Sequence, residues 1–111
     1  MLVGVPREIK VHEYRVGLTP ESVAELVRAG NGVLIEHDAG AGIGATDSEY
    51  RQAGGQVVAT PAEVFTQAEL VIKVKEPQAV ERAMLRPGQC LFTYLHLAPD
   101  PLQTRELMTS G

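Results

Sequence analysis

Two polar stretches of this 111-residue chain hold side chains able to do chemistry. The first, "PREIKVHEYR", gathers Arg7, Glu8, His12, Glu13 and Arg15; the second, "VIKVKEP", carries Lys73 and Lys75. Further on, "FTYLHL" adds Tyr94 and His96 among apolar residues. Arginine grips both oxygens of a carboxylate through its planar fork, and lysine adds a compact, mobile charge. A histidine beside them moves a proton near neutral pH. Brought to one place, these groups suit a small carboxylate. Taken singly, each has a plainer role: Arg15 as a solvated loop residue, one lysine snorkelling from a sheet edge, His96 as a satisfied core histidine. Convergence decides, and convergence depends on the fold.

The elements that must position these residues are marked by regular punctuation. Leu2 to Val5 reads as a short buried strand, followed by a polar segment, Pro6 to Leu18, too charged for a core. Thr19-Pro20 opens a helix, threonine as N-cap and proline at the first position; Val23, Leu26 and Val27 form its stripe and Gly30 ends it. Val33 to Ile35 is a second strand, and Asp47 to Ala53 suits a short helix. Gln56 to Ala59 is a third strand. Thr60-Pro61-Ala62-Glu63 then spells a capping box in which Thr60 and Glu63 satisfy each other's backbone donors. Leu70 to Val74 makes a fourth strand, and a helix after Glu76-Pro77 runs to about Leu85. Arg86-Pro87-Gly88 turns the chain into a fifth strand, Cys90 to Tyr94, and Asp100-Pro101 caps a last helix that stops at Gly111.

Strands alternating with helices imply an α/β fold: an open parallel sheet with helices on both faces, Rossmann-like or flavodoxin-like. Short continuous apolar strands fit burial on both sides. Strand order is not readable from the sequence. In such sheets ligands bind beyond the carboxyl ends of the strands. That rule puts the first polar stretch beyond strand one, Lys75 beyond strand four and Tyr94 and His96 at the end of strand five, all on one rim.

The length suits one domain. Four more acids than bases give a net charge of -4, which leaves no basic excess for a nucleic-acid partner. No apolar run reaches membrane-spanning length, and the apolar start is too short for a signal peptide, so a cytoplasmic protein is expected. The lone Cys90, inside an apolar run, reads as an inert buried thiol in a reducing compartment. No grouping of His, Cys and carboxylates has ligand spacing in the sequence, so no metal is expected.

One motif competes for a different function. Gly40-Ala41-Gly42-Ile43-Gly44-Ala45 follows a strand and satisfies the G-x-G-x-x-G/A dinucleotide pattern. Its context fails: the helix behind it is short and opens with Asp47 and Glu49, carboxylates that repel a pyrophosphate, and the next strand ends in Ala59-Thr60 with no acid for a ribose. The glycines read as a sharp bend at φ > 0, a rim loop bordering the cleft.

"VGVPREIKVHEYRVGLTPESVAELVRAG", "AELVIKVKEP" and "LRPGQCLFTYLHLAPD", in this order, resemble the N-terminal signature shared by alanine dehydrogenases and the alpha subunits of nicotinamide nucleotide transhydrogenases. A weaker version occurs in lysine-forming saccharopine dehydrogenases. The resemblance covers essentially the whole chain, and the K-V-K-E-P and Y-L-H-L segments resemble alanine dehydrogenase more closely. It departs at His12, where the signature usually has asparagine, and at Gly17, where alanine is usual. What it implies is reversible oxidative deamination of L-alanine to pyruvate and ammonium, with NAD as hydride acceptor. By that resemblance Arg15 holds the substrate carboxylate, Lys75 contacts its carboxylate and carbonyl oxygens, His96 is the general acid/base, and Tyr94 lines the pocket. It also implies that residues 1–111 are the N-terminal portion of a substrate domain, that NAD is bound by a domain not present in this chain, and that the enzyme is a homo-oligomer, a hexamer. The alternatives are a transhydrogenase alpha subunit and a non-catalytic carboxylate-binding module.

Overall fold

The computed structural model describes residues 1–9, 13–75 and 77–93. Five strands form one sheet: β1 (Leu2–Val5), β2 (Gly32–Glu36), β3 (Gln56–Val58), β4 (Leu70–Lys73) and β5 (Cys90–Thr93). Between them lie α1 (Pro20–Arg28), α2 (Asp47–Gln52), α3 (Pro61–Gln67) and a single-turn α4 (Ala79–Arg82). Every pairing is parallel and the order is β3-β2-β1-β4-β5. The α/β expectation holds, and the order now places β1 at the centre. The helix expected to reach Leu85 is one turn long, and the helix expected after Asp100 lies outside the described residues.

Alternate residues of each central strand enter opposite cores, as two-sided burial demands. Val3, Val5, Val33, Ile35 and Ile72 join Val23 of α1 and Tyr50 of α2 on one face. Leu34 meets Val58 and Val64 on the other, where Val71 packs with Phe65 and Ala68. Gly4 lies under α3, where a Cβ would come within 2.6 Å of Ala68 Cβ; only glycine lets β1 and α3 approach so closely.

Caps set the helix starts. Thr19 accepts from Ser22 N–H with Pro20 in the first turn, as the sequence implies. At Thr60 only half of the expected box forms: the hydroxyl accepts from Glu63 N–H, while the Glu63 carboxylate takes the Thr60 hydroxyl instead of the backbone donor. A reciprocal box does stand at α2, between Thr46 and Glu49.

Two expectations fail because they judged a segment by its own composition. The charged stretch from Pro6 to Leu18 does enter the core: Val16 and Leu18 are buried in the larger cluster, and Glu8 is buried as well. Cys90 is exposed, because it and Phe92 share the exposed side of β5, while Leu91 on the other side packs against the Phe65 cluster. Among the described residues no helix is long and apolar enough to cross a membrane.

Candidate functional site

The connections from β1 through α1 and β2 to α2 and β3 run outward on one side of β1; the chain then crosses back by α3 to β4, on the other side. The carboxyl ends of β1 and β4 therefore flank the point where strand order reverses, the place where open α/β sheets bind ligands. Residues 7–9 and 13–15 leave β1 there, and Val74 and Lys75 leave β4 there.

A buried ionic cluster underlies this rim. The Lys73 ammonium donates to Glu8 Oε1 at 3.1 Å and pairs with Glu81 Oε2 at 2.9 Å, all three side chains at most 2% exposed. Lys73 thus does not snorkel from an edge, because β4 runs between β1 and β5. Glu8 also accepts the Val74 N–H at 3.0 Å on Oε2 and the Lys75 N–H at 3.2 Å on Oε1. Sequence reasoning placed Glu8 on the rim and gave no part to Glu81. No local signal could have found it, because the pairing depends on where α4 docks.

Above this layer Arg15 and Lys75 meet around one carboxylate. Glu13 accepts from the Arg15 backbone N–H at 2.8 Å, from its Nε at 3.0 Å and from its Nη2 at 2.9 Å. Lys75 Nζ stands 3.7 Å from the same Oε1 that Arg15 Nη2 reaches. The Arg15 hydrogen bond holds the Glu13 carboxyl down at about 2, far below the usual carboxylate range. Arg15 is engaged by its Nε–Nη2 edge, and its side chain remains 59% exposed. Its outer edge therefore has room for a second carboxylate. Two hollows adjoin Arg15. One of about 260 Å³ is lined by Val16, Gly17, Thr19, Ser22, Ile43 and Val74, the other of about 170 Å³ by Arg7, Glu8, Glu13, Tyr14, Asp38 and Gly42. Of the four residues expected to form the site, Arg15 and Lys75 are brought together; Tyr94 and His96, like His12, lie outside the described residues. Gly17 presses on β4: a Cβ there would lie 2.4 Å from the Ile72 carbonyl oxygen.

The glycine segment borders the site without forming a phosphate cradle. Only Gly44 has a positive φ, 78°, so the expected bend at φ > 0 applies to one of the three glycines. Gly40 and Gly42 are needed for close approach: a Cβ would lie 2.7 Å from Tyr50 Cε2 in the first case and 2.1 Å from the Tyr14 carbonyl oxygen in the second. Gly42 and Gly44 are exposed, but the Ala41, Ile43, Gly44 and Ala45 N–H groups that a pyrophosphate would need already donate to the carbonyls of Asp38, Gly40 and Ala41. The mouth of α2 is likewise taken, since Asp47 Oδ1 accepts the Asp38 N–H and Glu49 closes the Thr46 box. These residues do not fit a dinucleotide.

The fold also makes a grouping that sequence spacing did not suggest. His37, Asp38 and Asp47 each bring a potential metal ligand atom within 4.8 Å of the others. The Asp47 carboxylate binds His37 Nδ1 at 2.5 Å, and that bond with the Asp38 charge raises the imidazole above its ordinary pKa. The trio satisfies itself as an ion-pair cluster.

Known proteins share this arrangement of chain. Residues 4–111 match the family described as "Alanine dehydrogenase/PNT, N-terminal domain". The alanine dehydrogenase of Methanococcus maripaludis is 53% identical over 108 residues, 97% of this chain and 29% of that protein. That of Mycobacterium tuberculosis is 50% identical over 111 residues, 100% of this chain and 30% of that protein. A solved L-alanine dehydrogenase superposes with a TM-score of 0.94 at 50% identity, covering 100% of this chain and 30% of that one. A transhydrogenase from Sinorhizobium meliloti gives 0.91 at 28% identity, covering 100% and 33%. The chain thus spans under a third of the curated relatives' length, and within that span sequence and fold agree: it belongs to the alanine dehydrogenase/PNT N-terminal domain family.

Proposed function

We propose that this chain is the substrate-binding part of an NAD-dependent L-alanine dehydrogenase, which interconverts L-alanine with pyruvate and ammonium. The observation that carries the reading is the meeting of Arg15 and Lys75 around one carboxylate at the switch point of the sheet. Two cations on a half-dry rim hold a small carboxylate by charge and by a fork that fixes its plane. Identity near 50% to alanine dehydrogenases, against 28% to the transhydrogenase, sets the transhydrogenase alpha subunit second.

In this reading the outer edge of Arg15 takes the substrate carboxylate. Lys75 bridges from that carboxylate to the oxygen at the reacting carbon, drawing electron density from it. His96 exchanges a proton at that carbon's oxygen or nitrogen, and Tyr94 walls the pocket. NAD supplies the acceptor for the α-hydride. Because the glycine segment does not fit a pyrophosphate, the cofactor belongs to a further domain, and residues 1–111 are the N-terminal portion of the substrate domain. The enzyme is cytoplasmic and a homo-oligomer, a hexamer as in the family.

The test is kinetic. In the complete enzyme carrying this chain, Lys75→Ala and His96→Ala should each lower kcat/KM for L-alanine by roughly 10²–10⁴-fold, the range of a positioned proton-transfer or charge-stabilising group, with thermal unfolding unchanged. Near-normal turnover in either variant removes that residue from the chemistry. The 111-residue chain alone should bind pyruvate and not NADH by calorimetry. Binding of neither would favour a structural fragment.

A further inference from the structure

We infer that Glu8 is a positioning residue for Lys75, an inference resting on the substrate-binding role proposed for Lys75. β4 ends at Lys73, and its ladder with β1 ends earlier, at the Gly4–Val71 pair. The next two amides, Val74 and Lys75, leave the sheet and must find other acceptors. Both find the same carboxylate: Glu8 Oε2 for Val74 and Oε1 for Lys75. The main chain of the cationic residue is thereby tied to the segment that leaves β1, the segment that also carries Glu13 and Arg15. The Lys75 head group stands 3.7 Å from Glu13. Its backbone is set by one acid and its ammonium faces another, so its direction across the rim is fixed at both ends.

Lys73 and Glu81 complete this clamp. The Glu8 side chain is 2% exposed, and a buried carboxylate stripped of its partner charge is strongly destabilising. Lys73, 1% exposed, pairs with it and with Glu81 of α4. Stability alone does not account for such a triad, since apolar residues of like volume commonly replace buried ion clusters without loss. An apolar side chain cannot accept two consecutive main-chain amides. That capacity is what the triad preserves.

Three variants of the complete enzyme test the clamp. Glu8→Gln leaves Lys73 paired with Glu81 and offers one carbonyl where two oxygens accepted. It should lower kcat/KM for L-alanine by about tenfold or more through misplacement of Lys75. It should also speed hydrogen exchange at the Val74 and Lys75 amides by about tenfold, with the amides of β1 and β2 unchanged. The triple variant Glu8→Gln/Lys73→Met/Glu81→Gln removes all three charges together. It should regain thermal stability without regaining kcat/KM. Recovery of activity along with stability would overturn the inference, leaving the triad structural only. Unaltered exchange at both amides in Glu8→Gln would also overturn it. Lys75→Ala serves as the reference: if that variant is fully active, the assignment of Lys75 itself falls, whereas an inactive Lys75→Ala beside a fully active Glu8→Gln sinks the clamp alone.

Discussion

Gly42→Ala separates a glycine loop that shapes the carboxylate site from one that binds a phosphate. A Cβ at this position would lie 2.1 Å from the Tyr14 carbonyl oxygen and 2.8 Å from its carbonyl carbon and Cα. Real Cβ contacts do not fall below 3.0 Å, so the two backbones must part by about 0.9 Å, the difference between 3.0 and 2.1. Neither partner is a flexible side-chain end. Overpacking of this kind costs about 1–3 kcal/mol, a fall in Tm of roughly 5–20 °C for a domain of this length. The displacement falls on Tyr14, between Glu13 and Arg15, whose mutual contacts are 2.8 to 3.0 Å long. Moving a substrate-orienting group by about 1 Å costs on the order of 10²-fold, so pyruvate affinity of the chain and kcat/KM for L-alanine should fall by that order. Gly44→Ala is the control. Gly44 has φ 78° and no atom within 4 Å of an added Cβ, so the substitution strains the backbone without pushing on Tyr14. It should cost about 1–2 kcal/mol of stability and leave pyruvate binding unaltered below its melting range. Calorimetry with pyruvate and with NADH on both variants reads the outcome. Loss of NADH affinity in both variants, with pyruvate affinity retained, would refute the assignment of these glycines.

Two further predictions concern titration and a single hydroxyl. The Glu13 carboxyl titrates at about 2 in the folded chain against an ordinary 4.5, because Arg15 hydrogen-bonds it. A depressed carboxyl contributes stability present above its unfolded value and lost as pH falls toward the folded one. Denaturant midpoints of wild type and Glu13→Gln should therefore differ by a constant amount at neutral pH and converge between about 4.5 and 2; parallel curves through that window would exclude the pair. Tyr50, fully buried, donates its hydroxyl to the Leu18 carbonyl at 2.7 Å, and burial pushes the phenol up to about 12. Tyr50→Phe should lose about 1–3 kcal/mol in urea unfolding, the cost of an unsatisfied buried acceptor. It should also abolish the part of wild-type stability that disappears as pH rises from about 10 towards 12, since a raised pKa stabilises only below its unfolded value. An unchanged alkaline profile in the variant would count against the buried phenol.

The parts of this fold that were legible in the sequence are those governed by neighbours along the chain. Leu2–Val5 appears as read, and Thr19-Pro20 starts α1, because strand runs and caps are local devices. The rim bearing Arg15 and Lys75 was legible too, since a parallel sheet puts successive strand ends on one side. Strand order was not legible, and one error follows from that. Lys73 could be a snorkelling residue only on an edge, and β4 is interior. Cys90 was read from the apolar run around it, but strands alternate faces: Cys90 and Phe92 lie on the exposed side of β5, and Leu91 on the other packs against the Phe65 cluster. Glu8 was placed on the rim, but its burial was not legible, because its partners Lys73 and Glu81 are remote in the chain. The glycines looked like a bend at φ > 0 because sequence reveals flexibility, whereas Gly40 answers to the Tyr50 ring and Gly42 to the Tyr14 main chain across the fold.

The strand order β3-β2-β1-β4-β5 matches the first five strands of a dinucleotide-binding domain, in which the turn after β1 presents amides and a helix N-terminus to a pyrophosphate. This chain uses the same crevice differently. Residues 6–19 lie between β1 and α1, and within them Glu8 already occupies the amides beyond β4. The first turn of α1 is also taken, by the Thr19 hydroxyl, with Glu21 adding negative charge. Both backbone features that could hold a phosphate are thus bonded to the protein's own oxygens. Among the described residues of this rim, the outer fork of Arg15 and the ammonium of Lys75 are side-chain groups that can still receive an anion. Backbone amides and a helix end suit a dispersed charge such as a pyrophosphate, whereas a guanidinium fork beside an ammonium suits one planar carboxylate. Glu8 thus does both: it occupies amides that a nucleotide would need and ties the Lys75 main chain to the segment that carries Arg15.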